Sequence, residues 1–177
     1  MADFNPYFPK LLRYEGGFVN DSQDPGGATN LGITFSVYKK YSLSLLGEDP
    51  TFENLRALTK EQAMKIYKVL CWTPMCGDEI VHQLTAEIMI DFGINSGPAV
   101  AVKKMQSILN NQNPNIFVDG VCGPQTYNAI NNSETNLLYM SFKQARIYYY
   151  RNLVNSKPLL GKFLKGWLIR TNDFPDL

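Results

Sequence analysis

From Tyr14 to Thr34 the chain packs five glycines, Pro25, the carboxylates Glu15, Asp21 and Asp24, and the hydroxyls of Thr29 and Thr34 into a run that cannot be one regular helix. It must be a turn-rich segment that sets polar side chains on tightly bent backbone. Upstream, Asn5-Pro6 reads as a helix start, and Phe8, Leu11 and Leu12 form an apolar stripe at helical spacing. Gly16-Gly17 is expected to end that helix in the left-handed conformation, which puts Glu15 in its last turn. There the negative end of the helix dipole and the flanking Tyr14 and Phe18 favour a protonated carboxyl, the form a general acid needs. Asp24, in a Pro-Gly-Gly turn, is expected to stay solvated and ionised. Two carboxyls in unlike surroundings can divide acid and stabilising roles, and the Thr29 hydroxyl can position a water or a sugar hydroxyl near Asp24. The same residues also fit a plainer account, a solvated glutamate at a helix end followed by an ordinary Asp-Pro-Gly turn.

The remaining composition narrows the class. With 177 residues, 45% of them hydrophobic and 19% charged, the chain can bury one good core. A formal net charge of +1 gives no broad attraction to nucleic acid or to an anionic membrane surface. No apolar run approaches the roughly 18 residues of a membrane span, and Met1-Ala2-Asp3-Phe4 has neither a basic region nor an apolar core of a secretory signal, so synthesis in the cytoplasm is expected. Cys71, Cys76 and Cys122 are odd in number and off metal-ligand spacing, which fits reduced thiols. His82 stands alone as a structural or solvent-facing residue, and neither a metal nor a cofactor is expected.

Beyond the glycine-rich run the chain reads as helix after helix. Thr34 caps a short helix through Phe35, Tyr38 and Tyr41 that Gly47 ends, and Thr59-Lys60-Glu61-Gln62 is a capping box for the next long one. A strongly apolar helix over about Asp78 to Asn95 is expected to be buried nearly all round. Asp91 and Asn95 share a face of it and either line a cleft opposite Glu15 or satisfy backbone groups at a buried helix end. Pro98 and Pro124 open two further helices, a long one spans about Thr135 to Asn155, and Pro158 opens the last. The Tyr148-Tyr149-Tyr150 cluster and Trp167 can stack on sugar rings, although aromatic residues at helical spacing more often form core. Strand signals are confined to a small hairpin through Phe18 to Ile33, so the fold class is all-α.

The run Glu15-Gly16-Gly17-Phe18-Val19-Asn20-Asp21, followed by Asp24-Pro25-Gly26-Gly27-Ala28-Thr29-Asn30 and Gly32-Ile33-Thr34, resembles the signature of glycoside hydrolase family 108, lysozyme-like N-acetylmuramidases that occur as phage endolysins and as so-called secretion activators. The resemblance implies Glu15, Asp24 and Thr29 as catalytic residues, and it makes Asn30, Thr34, Asp91 and Asn95 expected substrate-binding residues. Leu31 departs from it, since the family often carries a bulky ring there. Asp119-Gly120-Val121-Cys122-Gly123-Pro124-Gln125-Thr126, with Gly166-Trp167 and Arg170, resembles the type 3 peptidoglycan-binding module that accompanies this family. Together these imply a lysozyme-like helical fold with a catalytic region at 1–95 and a peptidoglycan-binding-like region at 96–177, packed as one unit. The implied activity is hydrolysis of the β-1,4 bond between N-acetylmuramic acid and N-acetylglucosamine, acting at the cell wall after passage by a holin or a secretion system. A non-catalytic wall-binding or secretion-accessory protein and a lytic transglycosylase are the alternatives. Peptidoglycan is the implied partner, with no nucleic acid and no membrane insertion, and the oligomeric state is open.

Overall fold

Local capping chemistry starts most of the short helices. A computed structural model describes residues 1–20, 27–112 and 114–177, so Asp24 lies outside the described residues. Helix α1 (Phe4–Leu12) buries Phe4, Tyr7, Phe8 and Leu11 on one face. Strands β1 (Thr29–Asn30) and β2 (Ile33–Thr34) pair antiparallel, Thr29 opposite Thr34 and Asn30 opposite Ile33. In α2 (Phe35–Tyr41) the Thr34 hydroxyl accepts from Val37 N–H at 3.3 Å, and the helix runs on as a π turn over Ser42–Leu46 until Gly47 closes it at φ 69°. Thr51 caps α3 (Phe52–Arg56) in the same way. The expected capping box opens α4 (Lys60–Tyr67), with Gln62 N–H donating to Thr59 Oγ1 and Thr59 N–H to Gln62 Oε1. A π turn over Lys68–Trp72 follows.

The longer helices come next: α5 (Gln83–Ser96), α6 (Pro98–Gln112), α7 (Pro124–Asn132), α8 (Thr135–Ser156) and α9 (Gly161–Asn172). From Thr85 to Gly93 every residue of α5 is buried, as an apolar helix without a polar face requires. It begins five residues later than the apolar run suggests. The preceding segment forms only a 3-10 turn over Gly77–Glu79 and satisfies its polar groups outside an α-helix: Cys76 is left-handed at φ 55°, Asp78 accepts from Trp72 Nε1 at 2.8 Å, and the Ile80 carbonyl accepts from Ala2 N–H at 2.7 Å. Cys71, Cys76 and Cys122 are free thiols, and His82 pairs its Nδ1 with Thr85 Oγ1 at 2.8 Å.

Nine α-helices and a two-stranded sheet among the described residues make the fold all-α, with a small hairpin after the first helix. The chain divides into two compact units, residues 4–70 and residues 71–177 with 1–3. That division falls at Leu70/Cys71, ahead of the change of role that the sequence suggests after Asn95, because α5 packs on α6 and α8 within the larger unit.

Candidate active site

Glu15 stands just beyond α1. The helix ends at Leu12, and three i→i−3 bonds carry the chain onward: Arg13 N–H to Lys10 O (3.3 Å), Tyr14 N–H to Leu11 O (3.1 Å) and Glu15 N–H to Leu12 O (3.3 Å). This tighter turn takes up the last helix carbonyls, so no left-handed cap is needed. The positive-φ glycines among the described residues are Gly27, Gly32, Gly47, Gly97 and Gly120, and the expectation of a left-handed Gly16-Gly17 is thereby corrected. Glu15, Tyr14 and Phe18 are all half-buried.

The hairpin supplies the wall that Glu15 faces. Val19 bridges Thr29 through two backbone hydrogen bonds of 2.9 and 2.8 Å, which ties the segment after Glu15 to β1. At the tip, Leu31 (φ 49°) and Gly32 (φ 73°) both take positive φ, as a two-residue type I′ turn demands. The second position has to be glycine for a further reason. A Cβ on Gly32 would run into the Tyr67 hydroxyl and the Glu15 carboxylate, with the Glu15 Cδ only 2.9 Å away. The bare backbone at this point thus lets the hairpin tip, the Glu15 carboxylate and the Tyr67 hydroxyl meet. Leu31 holds a left-handed conformation that costs a non-glycine residue on the order of 1 kcal/mol, and the Tyr67 hydroxyl donates to its carbonyl at 3.1 Å. Tyr67 is itself buried, with Phe8 of α1 tilted against it at 6.1 Å between ring centroids. The ring of Tyr67 is core, while its hydroxyl belongs to the site.

Thr29 is half-buried in the middle of this arrangement, between Val19 and Thr34. Asn30 and Thr34 have other partners. The Asn30 amide is buried and donates to the carbonyls of Leu55 (2.9 Å) and Arg56 (3.0 Å), which ties β1 to the end of α3, and the Thr34 hydroxyl caps α2. Their side chains build the site's frame.

Asp91 and Asn95 lie on α5 in the other unit. Asp91 is 1% exposed, with Arg146 Nη2 at 2.6 Å and Arg170 Nε at 3.0 Å from its carboxylate oxygens. Burial raises its pKa, and the two guanidiniums outweigh burial and hold the carboxyl below the ordinary aspartate value. Arg146 is fully buried inside a cage of Phe92, Tyr150 and Phe174, each ring centroid 5.7 or 5.8 Å from its Cζ. Asp91 therefore satisfies side-chain charge, where the sequence suggested substrate or helix-end backbone. Asn95 is exposed and reaches the Tyr150 hydroxyl at 3.4 Å. Trp167 stacks on Tyr150 at 4.9 Å, so Trp167 and Arg170 both serve this packing.

The Asp119 turn is likewise built from within. Gln106 of α6, buried, donates to Asp119 Oδ1 (2.8 Å), Val121 O (3.0 Å) and Thr126 Oγ1 (3.1 Å), and accepts from Gly120 N–H (2.8 Å). The Asp119 carboxylate also accepts from Val121 N–H, and that bond together with Gln106 lowers its pKa.

The glycosyl hydrolase 108 family model matches residues 8–97, the stretch that carries Glu15 and the hairpin. The chain belongs to the glycosyl hydrolase 108 family. A second model, described as a predicted peptidoglycan domain, matches residues 100–172. Among solved structures, the SagA structure from Brucella abortus is similar at a TM-score of 0.76 and 30% identity, over 97% of this chain and 90% of that one. No curated protein sequence matches. This member of the family is a glycoside hydrolase of the muramidase type that acts on peptidoglycan, with a cell-wall-related role. No helix among its described residues is long and apolar enough to cross a membrane.

Proposed function

We propose that this hydrolase is an N-acetylmuramidase that cleaves the β-1,4 bond between N-acetylmuramic acid and N-acetylglucosamine, with Glu15 as the general acid. The observation that carries the reading is the meeting of the Glu15 carboxylate with the bare backbone of Gly32 and the Tyr67 hydroxyl at the hairpin tip. A half-buried carboxyl fixed against rigid backbone is held in one place to protonate a leaving oxygen, which general acid catalysis requires of it. Asp24 supports the oxocarbenium-like transition state or orients the attacking water together with Thr29. Asp24→Asn should then lose activity, but less completely than a change at Glu15. Unaltered rates in that variant would remove Asp24 from the mechanism.

Digestion of purified peptidoglycan followed by mass analysis of the fragments tests the bond. Fragments with a reducing N-acetylmuramic acid end are expected. Reducing N-acetylglucosamine ends would reassign the bond, and anhydro ends, one water lighter, would make the enzyme a lytic transglycosylase.

A further inference from the structure

We propose that the pocket along α3, beside the hairpin, is a glycan subsite that takes one neutral N-acetylhexosamine ring, stacked on Phe52 and hydrogen-bonded by Glu53 and Arg56. The inference rests on the muramidase reading for the choice of strand, and it adds a place where that strand is held away from the acid. The pocket measures about 230 Å³ and is lined by Phe52, Glu53, Arg56 and Ala57. Drug-sized ligands occupy pockets from roughly 300 Å³ upward, so this one suits a single ring.

Phe52 lies parallel to Phe35, 4.0 Å between centroids and 20° between planes, yet remains 49% exposed. One of its faces is thus covered by an aromatic partner while the ring still presents apolar surface, the platform on which the C–H face of a pyranose can lie. The Arg56 guanidinium sits 4.6 Å from the centroid of Phe18. Stacking fixes the plane of the guanidinium and leaves its N–H edge for acceptors. Glu53 contributes acceptor oxygens only. A donor fork and an acceptor pair at one pocket match the ring of hydroxyl and amide groups on a neutral amino sugar. A strongly anionic or cationic ligand would meet one of the two charges unfavourably.

The same contacts tie the pocket to the acid. Asn30 of β1 holds the carbonyls of Leu55 and Arg56, Gly32 at the tip of the same hairpin touches the Glu15 carboxylate, and Phe18 beneath Arg56 follows Glu15 by three residues. Glu15 and Arg56 are therefore joined on two sides, through the hairpin and through Phe18.

The test uses the full chain with Glu15→Gln, so that binding is read without cleavage, and peptide-free strands of alternating N-acetylglucosamine and N-acetylmuramic acid as the probe in calorimetric titration. Adding Phe52→Ala or Arg56→Ala should weaken binding about tenfold each. Adding Leu43→Ala, a residue 67% exposed on the π turn of the same unit, should leave binding unchanged. Arg56→Ala keeps the backbone carbonyl that Asn30 holds, and thermal melting checks that each variant is folded. In the active enzyme, Phe52→Ala should raise KM with kcat little altered. Binding by both variants equal to that of the Glu15→Gln parent, or an equal loss in Leu43→Ala, overturns the subsite. Failure of the muramidase reading shows separately, in the identity of the fragments released by wild type.

Discussion

The two compact units hold their key carboxylates in opposite ways. In residues 4–70, Glu15 is half-buried, one tight turn beyond a helix, against a glycine whose missing side chain makes room for it. In the unit of residues 71–177, Asp91 sits in the middle of a long buried helix and is gripped by two arginines. On the proposed reading, the contrast separates a carboxylate placed for chemistry from one spent on structure. A carboxylate sealed among guanidiniums must stay ionised for the core to stand, whereas an acid that gives up and regains a proton needs solvent or substrate within reach.

Substitutions can break this comparison, and the largest effect belongs to Asp91. Asp91→Ala leaves two guanidiniums in the core without their counter-charge, and breaking a buried pair in this way costs about 3–5 kcal/mol, to be read from urea unfolding. A loss below about 1 kcal/mol would show that the ion pairs are not what holds this unit, since that is the range of exposed pairs. The same cluster sets an acid limit. Because the folded pKa of Asp91 lies below its ordinary value of 3.8, its contribution is complete above that value and is lost as pH falls through the lowered one. Asp91→Asn should lack that part of the acid dependence.

Gly32→Ala is the matching test in the smaller unit. The added methyl would displace the Glu15 carboxylate or the Tyr67 hydroxyl, and a shift of about 1 Å in a catalytic group can lower the rate by roughly 10²-fold. The unfavourable positive φ should add only a modest loss of stability. Near-normal kcat in a folded Gly32→Ala protein would mean that the contact does not position the acid. Next in size comes Gln106→Leu, which strips the Asp119 turn of its buried hub and leaves the Gly120 N–H without its acceptor. A cost of about 1–3 kcal/mol is expected, with kcat unchanged. A drop in kcat at unaltered stability would instead tie this turn to the chemistry.

Features written in adjacent residues were readable in advance. Thr34 and the Thr59–Gln62 box start their helices as expected, Pro98 and Pro124 stand at the first positions of α6 and α7, and α8 spans Thr135–Ser156, because caps and prolines act within one turn of where they stand. What needs a distant partner was not readable. Asp91 meets Arg146 and Arg170 across 55 and 79 positions, and no local pattern distinguishes such an aspartate from one that lines a cleft. The value of Gly32 depends on Tyr67, whose hydroxyl bonds the neighbouring Leu31 from 36 positions away. The missed end of α1 has the same origin in reverse. Two glycines permit a left-handed cap, but the i→i−3 turn had already used the carbonyls that such a cap would serve.

The most direct test of the account is the cleavage rate of Glu15→Gln. Glutamine keeps the size of the side chain and can still lie against Gly32, but it cannot donate the proton. General acid catalysis contributes about 10²–10⁴-fold, so hydrolysis of purified peptidoglycan should fall by that order while thermal melting and glycan binding stay at wild-type levels. A Glu15→Gln enzyme that cleaves within a few-fold of wild type and releases the same fragments would contradict the assignment of the acid to the hairpin site.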